Sequence, residues 1–474
     1  MRSVVSVGEA EEPARKAERL ARIIATDIID ARMACGQQLG TMAELSQRYD
    51  AGAAAIRQAV ILLEQQGLIE LKRGQGGGAS VLRSGAQAAA MALATHLDHL
   101  DLSMTDIFAA RAYVEGVGAQ WAAARATRAQ GLDLRALADG AVPPGEDTIS
   151  SRTQQIVHHA QRAMALSGNV LLEIFSDALR NITAGFAADP TQSDAFGATI
   201  DENARYRRAL SDAILAGDGF AARTRAEDWH LSTVPRLVHA GLHMGGDEAV
   251  PPSMLGRAGL EREMNVLRIF FGRKGRTAEA LVRLIAREIR VRRLAPEARL
   301  GSENELLAYY GVARPALRQA LRLLERHGMV ATRQGKAGGI FVGRADPAAA
   351  LLAFRDHAQS LALSPRTVGE ARDALLAPLV QGLIARGAGA LPTDPVGLDL
   401  PDLAQAAGVA IWPLLARSIA MLAGPTDVLF TPVSRALVDA IRASDAALAR
   451  RLARDDHGGG AAGPASGYPA RRSE

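Results

Sequence analysis

One cysteine, Cys35, stands in 474 residues, so no intrachain disulfide and no cysteine-built zinc site can form. Cys35 itself reads as a small buried hydrophobe. Aromatic residues are scarce at 4% while hydrophobic residues make up 48%, the balance of an alanine- and leucine-rich helical protein. No run of about 18 uncharged apolar residues occurs, so no membrane span is expected. The N-terminus MRSVVSVGEAEEPARK also lacks the apolar core of a signal peptide. A cytoplasmic protein is the expectation. No nucleophile–base pair, phosphate-cradling loop or pair of acids at catalytic spacing is visible, so neither an enzyme nor a bound cofactor is expected. The formal charge of +4 is small, but its distribution is uneven. Arginine far exceeds acid over Arg273–Arg333, whereas the long helical segments are closer to balance.

What is present centres on Ser302–Val342, SENELLAYYGVARPALRQALRLLERHGMVATRQGKAGGIFV. Ser302 and Glu305 form a capping box, which predicts a helix from Glu303 to about Tyr310. Gly311 supplies a turn, and a second helix opens at Pro315, where a missing N–H costs nothing. On that helix Leu317, Ala320, Leu321 and Leu324 share one face. The opposite face carries Arg314, Arg318, Gln319 and Arg322. Gly328 ends the helix, and two short strands, Met329–Arg333 and Gly339–Val342, flank a basic tip containing Lys336. An apolar-backed helix with guanidinium groups on its free face fits a DNA major groove, where arginine meets guanine edges and phosphates.

The stretch resembles the GntR family of bacterial winged-helix regulators. The family signature reads LPSER-x-LA, then GVSR-x-x-VR-x-AL-x-x-L, then GL and a GxG-FV wing. Its slots here hold Leu300-Gly301-Ser302-Glu303-Asn304, Gly311-Val312-Ala313-Arg314, Leu317-Arg318-Gln319-Ala320-Leu321, Gly328-Met329 and Gly338-Gly339-Ile340-Phe341-Val342. The resemblance implies double-stranded DNA as partner, met by Ser302, Asn304, Arg314, Arg318, Gln319, Arg322 and Lys336. Asn304 departs from the pattern, standing where the family has its first DNA-contacting arginine.

The pattern occurs twice. Arg57-Gln58-Ala59 repeats as Arg318-Gln319-Ala320, 318 − 57 or 261 positions on. The same offset links Leu39-Gly40 to Leu300-Gly301, Glu44-Leu45 to Glu305-Leu306, Gly67 to Gly328, and Ala110-Arg111 to Ala371-Arg372. Further on, Asp212-Ala213-Ile214 matches Asp439-Ala440-Ile441, and His230 matches His457, at 439 − 212 or 227. The chain therefore reads as a tandem duplication, each copy a winged helix followed by a helical bundle, the second bundle shortened. The expected division is a disordered N-terminus 1–13, winged helix one 14–84, bundle one 86–240, a Pro/Gly linker 241–257, winged helix two 272–344, bundle two 346–456 and a disordered tail 457–474. The expected fold class is mainly α, with two small β-hairpin wings.

Winged helix one is degraded as a DNA reader. Its helix-turn-helix spans Met42–Gln66, capped by Thr41 and Glu44, and its wing carries the glycine run 74–78 in a hairpin slot. Ala43 and Ala53 occupy the two arginine slots, and Asp50 puts an acid in the turn. Arg57, Arg48, Lys72 and Arg73 remain to meet phosphates.

Residues 86–240 are helix-periodic in segments near 104–127, 150–166, 170–187, 199–216 and 219–239. They resemble the FCD ligand-binding bundle that follows the winged helix in one large GntR subfamily. The motifs carried are Arg111-x-x-x-Glu115, Ser167-Gly168-Asn169, Ala213-Ile214-x-x-Gly217-Asp218 and His230. Many such bundles hold a metal through one aspartate and three histidines, and the metal holds a carboxylate effector. Here Ala160 and Arg207 occupy two histidine slots and only His230 keeps its own; the second copy has Leu403, Ser434 and His457. No metal is expected. Arg207 can instead present the positive charge directly, across the bundle from Arg111. The candidate effector residues are thus Arg111, Asn169, Arg207 and His230, for a small carboxylate-type anion. His158 and His159 read as a polar helix edge.

The sequence therefore predicts a DNA-binding transcription regulator. Its two readers pair either within one chain or between two chains. A DNA-independent sensor or interaction protein built on degenerate regulator domains is the alternative.

Overall fold

The computed structural model describes residues 13–30, 37–65, 69–72, 78–81, 85–97, 100, 102–140, 149–187, 193–239, 255–271, 277–335, 338–344, 347–359, 361, 363–386, 404–405, 411–422, 435–443, 445 and 448–449. The chain forms two compact units, residues 1–367 and 368–474.

The first unit opens with a winged helix: α1 (Pro13–Asp30), β1 (Gln38–Gly40), α2 (Met42–Arg48), α3 (Ala53–Gln65), β2 (Ile69–Lys72) and β3 (Gly78–Val81). The antiparallel sheet has the order β1-β3-β2. Leu20, Ile24 and Ile28 recur every fourth residue on α1 and meet Ile56, Val60 and Leu63 of α3 in a closed core. Burying each such side chain stabilises the fold by about 1.5–3 kcal/mol.

Among the described residues eight helices follow: α4 (Gly85–Leu97), α5 (Met104–Arg125), α6 (Arg128–Asp139), α7 (Ile149–Ala165), α8 (Val170–Ala187), α9 (Ser193–Leu215), α10 (Gly219–Leu231) and α11 (Thr233–His239). Ser103 caps α5, and Thr127 with Gln130 forms a capping box on α6. Helix α5 is central, packing on α7, α8, α9 and α10. Two of its glycines permit that approach: a Cβ on Gly118 would lie 2.5 Å from Met164 Cε, and one on Gly116 2.9 Å from Glu227 Cγ.

Helix α12 (Gly256–Phe271) then leads into a second winged helix: α13 (Thr277–Val291), β4 (Arg299–Gly301), α14 (Glu303–Tyr310), α15 (Arg314–Arg326), β5 (Val330–Arg333) and β6 (Gly339–Val342). Its sheet order, β4-β6-β5, repeats the first, as does a register shift in the first strand. Helix α16 (Pro347–Gln359) follows the wing and packs against α4, the helix that follows the first wing. Phe354 and Leu93 are fully buried on these two helices.

Helix α17 (Pro365–Arg386) runs into the second unit, which also holds α18 (Ile411–Leu422) and α19 (Arg435–Arg442). Leu379, Leu383, Leu415, Ile419 and Leu437 are buried in that unit. Element starts recur along the chain: β1 and β4, α3 and α15, β2 and β5, β3 and β6, and α5 and α17 all lie 299 − 38, or 261, positions apart. Helices α6 and α12 fall where no element was read from periodicity. Of the expected N-terminal segment 1–13, linker 241–257 and tail 457–474, residues 1–12, 241–254 and 457–474 lie outside the described residues, while Pro13 begins α1 and Gly256 begins α12, inside the stretch read as linker.

Candidate functional site

The capping box on α14 forms as read: Ser302 Oγ accepts from Glu305 N at 3.3 Å, and Glu305 Oε2 accepts from Ser302 N at 2.5 Å. Gly311 closes the turn at φ 64°, a left-handed conformation that favours glycine. Helix α15 begins one residue earlier than the proline suggests, at Arg314 after an Ala313 cap that makes no side-chain bond. Its apolar face, Leu317, Ala320, Leu321 and Leu324, is buried. Arg314, Arg318 and Arg322 stand exposed on the other side, with Gln319 half-buried between them. Glu303, on α14, draws the first two together. It accepts from Arg318 Nε and Nη2 at 3.0 and 3.3 Å and lies 3.3 Å from Arg314 Nη1. Arg314 Nη2 also donates to Asn304 Oδ1 at 3.0 Å. Ser302, Asn304, Arg314 and Arg318 thus form one polar surface, its guanidiniums held forward by an acid. On the wing, Arg333 pairs with Glu297 and lies over the Phe341 ring, 4.6 Å from its centroid. Lys336 lies outside the described residues.

The first winged helix has the same frame with less charge. Thr41 and Glu44 form the same capping box on α2. Asp50 takes the left-handed turn position at φ 44°, where the second winged helix has Gly311. Arg57 and Gln58 are exposed on α3 beside Ala53 and Ala54. The position matching Glu303 is Met42, so no equivalent acid orients Arg57. Arg73 and the Lys72 side chain lie outside the described residues.

Around the bundle of α5–α10, the predicted effector residues separate into three places. Arg111, His230 and Arg180 converge on the buried Glu115 carboxylate, at 3.1, 2.9 and 3.5 Å. Ser176 Oγ donates to the same group at 3.1 Å, and Arg111 Nη1 to Thr183 Oγ1 at 3.1 Å. Burial works to raise the Glu115 carboxyl, but Arg111, His230 and Arg180 hold it well below the usual carboxylate range. Burial lowers the His230 pKa, and its Nε2 donates to the Glu115 carboxylate, which can only accept. Arg180 also donates to Asp177 at 2.6 Å, so two acids balance two arginines. This cluster is internally neutral.

Arg207 is different. It is 5% exposed on α9, and its Nε and Nη1 have no hydrogen-bond partner; no acid pairs with it among the described residues. Asn203, one turn earlier, likewise leaves Oδ1 unpartnered and buried. His159 adjoins them, buried rather than on a polar edge, with Nε2 2.8 Å from Ser211 Oγ. Burial, with the nearby Arg207 charge, pushes His159 down to about 3. Asn169 serves as a helix cap: its Oδ1 accepts from Leu171 N and Leu172 N at 3.1 and 3.3 Å, and Nδ2 donates to Thr367 O at 3.0 Å. Among the described residues no group of three or more His, Cys, Asp or Glu is placed to hold a metal ion.

The description "Bacterial regulatory proteins, gntR family" matches the chain twice, over residues 16–78 and 277–342, the two winged helices just described. Both winged helices are similar to the gntR-family module. The "Uxu operon regulator" of Haemophilus influenzae is 27% identical over 120 residues, 25% of this chain and 42% of that protein. The chain thus matches less than half the length of that curated relative. A solved "Streptococcus agalactiae GntR" aligns at 20% identity with a TM-score of 0.30, covering 46% of this chain and 99% of that one. No helix among the described residues is long and apolar enough to cross a membrane.

Several residues of these gntR-type modules and their bundle escape a reading of local pattern. Glu303 occupies the signature's acid slot, yet its pairing with Arg314 and Arg318 depends on how two helices cross. Arg180 and Ser176 lie one turn apart on α8 and become visible only once α5 is packed against them. His159 shows a signal in hindsight: it lies four residues before Ala163, so the helix face that buries Ala163 carries it inward.

Proposed function

We propose that the chain is a DNA-binding transcription regulator in which the second winged helix reads sequence and the first mainly holds phosphate. The observation that carries this is the contrast between equivalent faces. Arg314, Arg318 and Arg322 stand exposed on α15 with Glu303 aligning two of them, while α3 offers Arg57 among alanines. Bidentate arginine discriminates bases by about 1–3 kcal/mol, whereas a lone phosphate contact carries no sequence information. The name of the Haemophilus relative, an operon regulator, agrees with this reading.

The arrangement of one winged helix and one following helix, repeated at a constant spacing, supports a tandem duplication. The α4–α16 contact supports an intramolecular pseudo-dimer, since equivalent helices meeting each other is how an isologous interface is built. The bundle of α5–α10 is read as an FCD-type sensor for a small carboxylate-type anion. Arg207 is its anchor, because a buried guanidinium without a counter-ion is costly unless something anionic completes it. Arg111 is spent on Glu115 and does not share that role.

Fluorescence anisotropy with DNA selected from a random pool tests the reading. Arg314→Ala or Arg318→Ala should weaken selected-site binding by about 1–3 kcal/mol. Arg57→Ala should cost less and leave base preference unchanged. Equal losses from the two copies would refute the division of labour. Failure of Arg314 and Arg318 variants to alter any DNA binding would favour a DNA-independent sensor.

A further inference from the structure

A buried ionic cluster joins the second winged helix to the first bundle, outside both surfaces discussed so far. Arg283, on α13, is 1% exposed. Its Nε donates to Glu263 Oε2 of α12 at 2.8 Å. Its other nitrogens reach α8: Nη2 donates to the Asn181 carbonyl at 2.8 Å and Nη1 to Asn181 Oδ1 at 3.3 Å. Arg287, one turn on, pairs with the second oxygen of Glu263, whose side chain is fully buried. A planar guanidinium bonded at both ends, and sealed from water, tolerates little sliding of the helices it joins.

Helix α8 has two working sides. Asn181 faces Arg283, while Ser176, Arg180 and Thr183 contact the Glu115–Arg111 cluster. One helix therefore separates the bundle's polar interior from the Arg283 lock. On the far side of the lock α13 packs on α15, the helix of Arg314 and Arg318. A second tie runs through α12: Gly256 N donates to Glu288 Oε1 at 2.8 Å, and Tyr310 Oη of α14 donates to Glu288 Oε2 at 3.2 Å. The first winged helix keeps a counterpart of the tyrosine tie, the Tyr49 hydroxyl bonded to Asp27, but not of the arginine lock. Its equivalent of Arg283 is Arg22, exposed on α1, and the neighbouring Ile23 is 44% exposed where Leu284 is fully buried.

We propose that Arg283 is a positioning residue that makes the second winged helix, rather than the first, respond to the state of the first bundle. A rearrangement at the Glu115 cluster moves α8, α8 carries Asn181, and Asn181 shifts Arg283 and with it α13 and α15. The inference rests on the regulator reading for its consequence at DNA; the mechanical link stands apart from it.

Hydrogen exchange by mass spectrometry on the full chain, without DNA, tests the link. Glu115→Gln removes the charge that Arg111 and Arg180 face. It should speed exchange in α13 and α15 by about tenfold, the size of a coupling between residues in one network, and leave α1 and α3 within about twofold. Arg283→Lys keeps an ammonium for Glu263 but cannot also make both Asn181 bonds. It should retain a near-normal melting temperature while abolishing the effect of Glu115→Gln on α13 and α15. If Arg283→Lys does not fold, Arg283→Gln, which leaves Glu263 paired with Arg287, should give the same loss of coupling. Equal acceleration of α1–α3 and α13–α15, no acceleration of α13–α15, or persistence of the effect without Arg283 would each overturn the proposal. If the exchange pattern holds but no DNA is bound, the link stands and the regulator reading fails.

Discussion

Arg207→Met should make the protein more stable. Arg207 is 5% exposed, and two of its donors, Nε and Nη1, find no acceptor. Burial lowers its pKa and the adjacent Arg208 lowers it further, with no acid offsetting either. Each buried unsatisfied donor costs about 1–3 kcal/mol, and replacing a buried charge by an apolar side chain of similar length is often neutral or stabilising by about 1–4 kcal/mol. Methionine keeps the unbranched shape and fills the same channel. The expected gain is about 1–3 kcal/mol, with a rise of a few degrees in melting temperature for a unit of this size. Urea denaturation followed by tryptophan fluorescence reads it locally. Trp229 stacks on Tyr206, the residue before Arg207, with ring centroids 4.8 Å apart. The same substitution should abolish any stabilisation of wild-type protein by added citrate. A loss of 1 kcal/mol or more would mean Arg207 already has a structural partner, and the anion-site reasoning would fail.

Three further outcomes follow from the same geometry. His159, pushed down to about 3 by burial and Arg207, stays neutral in the folded protein while the unfolded chain takes up a proton near 6.5. Its contribution is complete above about pH 6.5 and is lost as pH falls toward 3, by about 1.4 kcal/mol per unit; His159→Gln should flatten that part of a stability–pH curve, and an unchanged slope would contradict the burial. Gly311→Ala should destabilise by about 1 kcal/mol because the left-handed turn penalises a Cβ, which would also come within 3.2 Å of Arg257 Cδ; an unchanged denaturation midpoint would count against that turn. With Ala160 and Arg207 where imidazoles would be needed, elemental analysis should find less than one equivalent of Zn or Ni, and a chelator should leave the melting temperature unchanged. Stoichiometric metal would reverse this expectation.

The winged helices were legible because their signals are local. A capping serine with glutamate three residues on, a turn glycine and an i, i+3, i+4, i+7 apolar face each lie within a dozen residues, and α14 and α15 follow them closely. The recurrence of the winged helix was legible because identical residues return 261 positions on. The bundle's chemistry was not. Glu115 was visible as a partner for Arg111, four residues away on the same helix, but Arg180 and His230 arrive from α8 and α10. Neither Arg283 nor Glu263 stood out in the sequence. Their burial follows from α12, which no periodic signal had marked, packing on both α13 and α8. Asp50 shows the converse: an acid read as a mark against DNA also proves to hold a left-handed turn, at φ 44°.

The most direct test of the whole account is selection of bound DNA from a random pool by the intact chain, with the mass of the resulting complex. One chain should be found on a site with one information-rich half, under Arg314, Arg318 and Arg322, and one nearly sequence-blind half, under Ala53 and Arg57. Affinity should fall steeply with salt, because phosphates on both halves release counterions whether or not bases are read. Two chains on a symmetric palindrome would contradict the single-chain pseudo-dimer, and no enriched sequence at all would contradict the reading of this protein as a sequence-specific regulator.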